Sequence, residues 1–152
     1  MSETAGNDAA APTYAGAQPQ IVRAAEWQPF QSNSDGSDPA KDWKGFVTGQ
    51  QLGANVTLLF FSTDKRGDGP ALHVHDYDEV FVIRAGRALF TIGEQKIEAS
   101  AGDILFGPAG VPHKFHNLGP GRLETTDIHL SPVWKQTDLP DPETEGRPRS
   151  SD

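Results

Sequence analysis

The chain has 152 residues, one domain's worth, with 36% hydrophobic residues, sixteen glycines, twelve prolines and no cysteine. The lack of cysteine excludes a disulfide framework, a thiolate metal site and a cysteine nucleophile. The formal charge of −8 lies partly in the ends: Glu3 and Asp8 are in the first twenty residues, and 138–152 hold five acids against two arginines. No basic stripe supports nucleic-acid binding.

Residues 1–20 are small, polar and broken by Pro and Gly, which predicts a disordered tail. They contain no Lys or Arg and no apolar run, so they do not read as a secretory signal, and no stretch approaches a membrane span. A cytoplasmic location is the expectation, which the absence of cysteine suits. A single domain is expected over 21–137, followed by a disordered acidic tail over 138–152.

Within that domain, "QIVRAAEW" is the first strand candidate, and "QSNSDGSDPAKD" (31–42) reads as a long surface loop. "GFVTGQQLG", "NVTLLFFST", "ALHVH" and "EVFVIRAG" follow as strands, then "RALFTIG", "QKIEA", "DILFGP", "HKFHNL" and "RLETTDIHL". Gly or Pro punctuates most junctions, and no amphipathic helix of ten residues is evident. Short strands at this spacing predict an all-β fold, a sandwich or barrel.

The chemistry concentrates in "HVHDYDE", 73–79. Alternate strand residues share a face, so His73 and His75 point together, and Glu79 has the same parity. Four residues of straight strand nevertheless span about 13 Å, too far for ligand atoms held at about 2.0–2.2 Å from one ion. If Glu79 joins the histidines, the chain must bend at Asp76–Asp78, where Asp favours turns. A third histidine, His113, follows the stiff "GPAGVP" turn and opens a strand. Phe115 and Asn117 share its face, and His116 takes the other.

These two stretches resemble the paired signature motifs of the cupin family. The first has the form G(x)5HxH(x)3–4E(x)6G and is matched by Gly67, His73, His75, Glu79 and Gly86. The second, G(x)5PxGxxHx3N, is matched by Gly102, Pro108, Gly110, His113 and Asn117. The resemblance implies a small double-sheet β-barrel, a cupin jelly roll, with its core at about 40–132, flexible tails and a homodimer formed through N-terminal strands. It also implies that His73, His75, Glu79 and His113 are ligands to one metal. Three imidazoles and a carboxylate suit divalent Fe, Mn, Ni, Co or Zn alike. An octahedral ion so held keeps two open positions.

Parity then directs Phe81, Ile83 and Phe115 to the ligands' side, predicting an apolar pocket for a small, partly hydrophobic molecule. Some small cupin lyases, such as those cleaving dimethylsulfoniopropionate, carry a tyrosine base two residues after the glutamate. Phe81 stands there instead and cannot abstract a proton. Tyr77 lies in the proposed bend and is expected to be structural or on the surface. His116 is expected to be structural or on the surface, and His129 to pair with Asp127. Arg84 and Lys114 alternate away from the ligands.

Three functions fit this reading. The favoured one is a metal-dependent enzyme on a small organic substrate, with dioxygenase or oxidase chemistry. The alternatives are a non-enzymatic binding or sensing cupin and, ranked lower for want of inward polar groups, a sugar isomerase or epimerase.

Overall fold

The structure is a computed structural model that describes residues 19–144. The outer parts of both expected tails, 1–18 and 145–152, lie outside the described residues. Among the described residues the strands are β1 Gly45–Val47, β2 Thr57–Thr63, β3 His73–Val74, β4 Glu79–Ala85 and β5 Arg87–Ile92. They continue with β6 Gln95–Ser100, β7 Ile104–Gly107, β8 His113–Asn117, β9 Leu123–His129 and β10 Thr137–Asp138. Two four-residue helices precede β2: α1 Pro39–Asp42, capped by Asp38, and α2 Gly49–Leu52, capped by Thr48.

The strands form two antiparallel sheets, ordered β1-β2-β9-β4-β7 and β10-β3-β8-β5-β6. This is the all-β, two-sheet jelly roll the sequence predicts. Strict alternation explains why the sheets close on each other. Residues 79, 81 and 83 of β4, 113, 115 and 117 of β8, and 123, 125, 127 and 129 of β9 are all buried, while the residues between them are more accessible. Phe81, Ile83, Phe90, Phe115 and Leu123 form the centre of the core. Burying each such side chain stabilises the fold by about 1.5–3 kcal/mol. Gly86 permits the tight β4–β5 turn: its φ is +82°, and a Cβ there would lie 2.3 Å from the Arg122 carbonyl.

The N-terminal third departs from expectation. "QIVRAAEW" is not a strand but holds a 3₁₀ turn at Ala24–Glu26, and "GFVTGQQLG" is strand only over β1 before α2 takes over. The expected loop 31–42 is built from a 3₁₀ turn at Gln31–Asp35 followed by α1, with Asn33 buried and donating to the Lys44 carbonyl. The reason is aromatic packing. Trp27 stacks on Phe60 at 3.8 Å, and Trp43 meets the same ring edge-on at 5.0 Å while its Nε1 donates to the Thr125 carbonyl. This segment covers the outer face of β2.

The C-terminal boundary also moves. β10 pairs with β3, and beyond it Asp141 and Glu143 form ion pairs with Lys114. The packed chain therefore runs past 137 to at least 143. Among the described residues no helix is long and apolar enough to cross a membrane.

Candidate metal centre

His73, His75, Glu79 and His113 come together, all buried, with one potential ligand atom from each within 4.8 Å of the others. Two opposite ligands of an ion with 2.0–2.2 Å bonds stand about 4.0–4.4 Å apart, so the group is already close to coordination spacing. The site spans both sheets. His73 and His113 are direct partners across β3 and β8, whereas Glu79 opens β4 in the facing sheet. His113 thus reaches the pair from beside His73, and Glu79 closes the group from opposite.

The bend that the ligand spacing demands is present: β3 ends at Val74, β4 begins at Glu79, and 75–78 turn between them. His75 Nδ1 donates to the Tyr77 carbonyl inside the bend at 2.9 Å, and Asp78 Oδ1 accepts from the Ala109 amide of the "GPAGVP" turn. The two motif loops are therefore tied to each other.

The hydrogen bonds also settle which ring nitrogens face the centre. His73, His75 and His113 each have Nδ1 on a backbone carbonyl, of Ala71, Tyr77 and Val111 respectively. A carbonyl only accepts, so each Nδ1 carries a proton, and a ring that carries only that one offers the lone pair of Nε2. His75 Nε2 lies 2.7 Å and His113 Nε2 3.1 Å from Glu79 Oε1. Lone pairs then meet a carboxylate oxygen. Such an arrangement calls for positive charge between the groups, from extra protons on the rings or from one cation. The donor set fits a divalent transition metal on this ground.

The charges follow the same logic. Burial alone would raise Glu79, but hydrogen bonds from His113, His129 and His75, formed when their Nε2 atoms carry protons where no cation does the same, hold it well below the usual carboxylate range. Burial pushes His73 down to about 4, with the nearby His113 adding to the effect, so the ring stays neutral and available as a ligand. Asp127 is driven the other way, well above the usual carboxylate range, by burial and by the charge of Glu79.

Two further residues belong here. His129 does not pair with Asp127. Its Nε2 stands 3.2 Å from Glu79 Oε2, and its Nδ1 is 2.7 Å from the Tyr77 hydroxyl. Of the two roles expected for Tyr77, structural or surface, the structure shows the first: it is buried, stacks on His75 at 4.3 Å, and is held by the backbone of Lys135. Burial pushes its phenol up to about 12. His129 thus stands between the Tyr77 hydroxyl and the carboxylate oxygen turned away from the other histidines. This chain orients Glu79, as partners behind a ligand do. Parity in "LETTDIHL" put His129 on an inward face; what it lacked was the pairing of β9 with β4, where Glu79 and His129 are direct partners.

The remaining positions divide. Phe81 and Phe115 line a cavity of about 180 Å³ that also touches His73 and Glu79. Ile83 does not line it; one step further along β4, it is sealed in the core. Asn117 is structural, its side chain bonded to Gly119, Gly121 and Thr63. His116 faces outward. Arg84 lies over the Trp43 ring at 3.8 Å, and Lys114 pairs with Asp141, both away from the centre.

A family model described as "Cupin domain" matches residues 60–129, which include all four converging residues and His129. An uncharacterized protein of Streptomyces coelicolor is 41% identical over 64 residues, 42% of this chain and 60% of that protein. Acireductone dioxygenase of Geobacillus kaustophilus is 33% identical over 67 residues, 40% of this chain and 37% of that enzyme. The chain thus spans less than two thirds of either relative. Among solved structures, oxalate decarboxylase of Bacillus subtilis superposes with a TM-score of 0.58 at 17% identity, over 62% of this chain and 27% of that one. That likeness is one of fold.

Proposed function

The chain belongs to the cupin superfamily, and from that premise we propose that it is a metal-dependent enzyme acting on a small organic molecule, with dioxygenase or oxidase chemistry favoured. One observation carries the reading: three imidazoles and one carboxylate, all buried, bring their ligand atoms within 4.8 Å of one another at the edge of a cavity. A divalent ion held by His73, His75, Glu79 and His113 would supply Lewis acidity and open positions for substrate or O₂. The protein's own groups do the rest. Backbone carbonyls fix the ring tautomers, His129 and Tyr77 hold the carboxylate, and Phe61, Phe81 and Phe115 keep water from the substrate's apolar part.

The likeness to acireductone dioxygenase supports the oxygen-dependent form, and the cavity beside the metal ligands favours an enzyme over a sealed barrel. Mainly apolar walls argue against sugar isomerisation. The test is oxygen consumption by metal-loaded protein across a panel of small organic substrates. Substrate-dependent oxygen loss that disappears in His113→Ala is expected. A fully metal-loaded protein inert to the whole panel would overturn the enzymatic reading in favour of a binding module.

A further inference from the structure

β9 turns Thr125, Asp127 and His129 into the barrel. His129 is accounted for by Glu79 and Tyr77. Asp127 is only partly accounted for: it is 5% exposed, the neighbouring Thr125 hydroxyl bears on its carboxyl, and its Oδ1 has no hydrogen-bond partner among the described residues. A buried carboxyl oxygen without a partner destabilises a fold. An apolar side chain would pack between its strand partners Leu59 and Phe81 without that cost. Few native groups are left in this state, and each calls for a reason other than stability.

The cavity supplies one. Asp127 lines the same space of about 180 Å³ as His73 and Glu79, between the rings of Phe61, Phe81 and Phe115. An apolar cavity of about 150 Å³ accommodates benzene, so this space takes one ring or an equally compact branched molecule. It offers polar anchors at two levels. Glu79 pairs with His129 at the metal end, and Asp127 lies two residues further along β9, about 7 Å away. Apolar walls flank both.

We propose that Asp127 binds the substrate, and that the substrate is a ring-sized, mainly apolar molecule with two oxygen functions. One oxygen faces the centre formed by His73, His75, Glu79 and His113. The second, a hydroxyl or carbonyl, hydrogen-bonds to Asp127. The first anchor rests on the proposed metal centre; the second does not.

The test titrates the metal-loaded full chain with benzoate, 3-hydroxybenzoate and 4-hydroxybenzoate by calorimetry, with metal content measured on the same samples. At least one hydroxybenzoate is expected to bind about tenfold more tightly than benzoate. Asp127→Leu should erase that advantage while leaving metal content and benzoate affinity unchanged. Asp127→Asn, which keeps a hydrogen-bonding fork of the same shape, should retain most of it. Equal affinity for all three probes in the unaltered protein, no binding of any, or an advantage that survives in Asp127→Leu would overturn the assignment. The comparison among probes needs no variant, so a poorly folded variant cannot obscure it. A preference that depends on Asp127 in a protein unable to hold metal would sink the metal-dependent function and leave this inference standing. Full metal loading with no preference would do the reverse.

Discussion

The same three strands build two different interiors. Along β4, Glu79 gives way to Phe81 and Ile83; along β8, His113 to Phe115; along β9, His129 and Asp127 to Leu123. Every one of these side chains faces inward and is buried. At one end they are imidazoles and carboxylates whose lone pairs converge; at the other they are rings and aliphatic groups satisfied by contact alone. Alternation makes no distinction between the ends. Position along the strand does, because the polar end lies where β3 bends into β4 and a cavity reaches the ligands. The polar end should therefore answer to ions and protons, and the apolar end to volume.

The largest expected effects separate the two ends. Glu79→Ala should reduce bound metal from about one ion per chain to under a tenth, read by elemental analysis. Phe90→Ala, in the apolar end, should lower unfolding stability by about 3–5 kcal/mol in urea while metal binding survives. If Phe90→Ala lost its metal as completely as Glu79→Ala, the two ends would have to be treated as one unit. A smaller effect is expected behind the ligands. His129→Leu should weaken metal affinity about 10–100-fold with all four ligand residues intact, and Tyr77→Phe should weaken it less, both measured by competition with a chelator.

Protons give a further contrast. His73 is depressed to about 4 from an ordinary value of 6.5, so between those values the unfolded chain binds more protons than the folded one. The metal-free protein should lose stability as pH falls from about 6.5 towards 4, by about 2 kcal/mol from this residue at pH 5. Urea titrations at pH 7 and pH 5 would show it, and His73→Gln should flatten the dependence. The smallest effect is the most specific. Glu79→Gln places an N–H donor before the imidazole lone pairs, so it should stabilise the metal-free protein by about 1 kcal/mol while losing the metal. Destabilisation by this change would mean that the lone pairs do not face the carboxylate.

Much of the polar end was legible in the sequence because its bend is local and its paired motifs, which brought in His113, resemble those of the cupin family. A straight strand cannot bring Glu79 to His75, so "HDYDE" had to bend, and the stiff turn before His113 limited where that ring could go. The roles of His129, Tyr77 and Asp127 were not legible. They depend on β9 lying beside β4, a pairing made across more than forty residues that no spacing reveals. The N-terminal segment was misread for a related reason. Its helical turns are held by Trp27 and Trp43 on Phe60 and by a bond from Trp43 to Thr125, contacts between distant parts of the chain. Ile83 had the right parity for the pocket but lies one step too deep along the strand.

The central claim is that the polar end exists to hold a metal ion, and elemental analysis of protein purified without a metal-binding tag tests it most directly. The unaltered chain should carry about one divalent transition-metal ion per molecule, and His75→Ala, folded and purified in parallel, should carry almost none. Equal metal content in the two proteins would contradict the account.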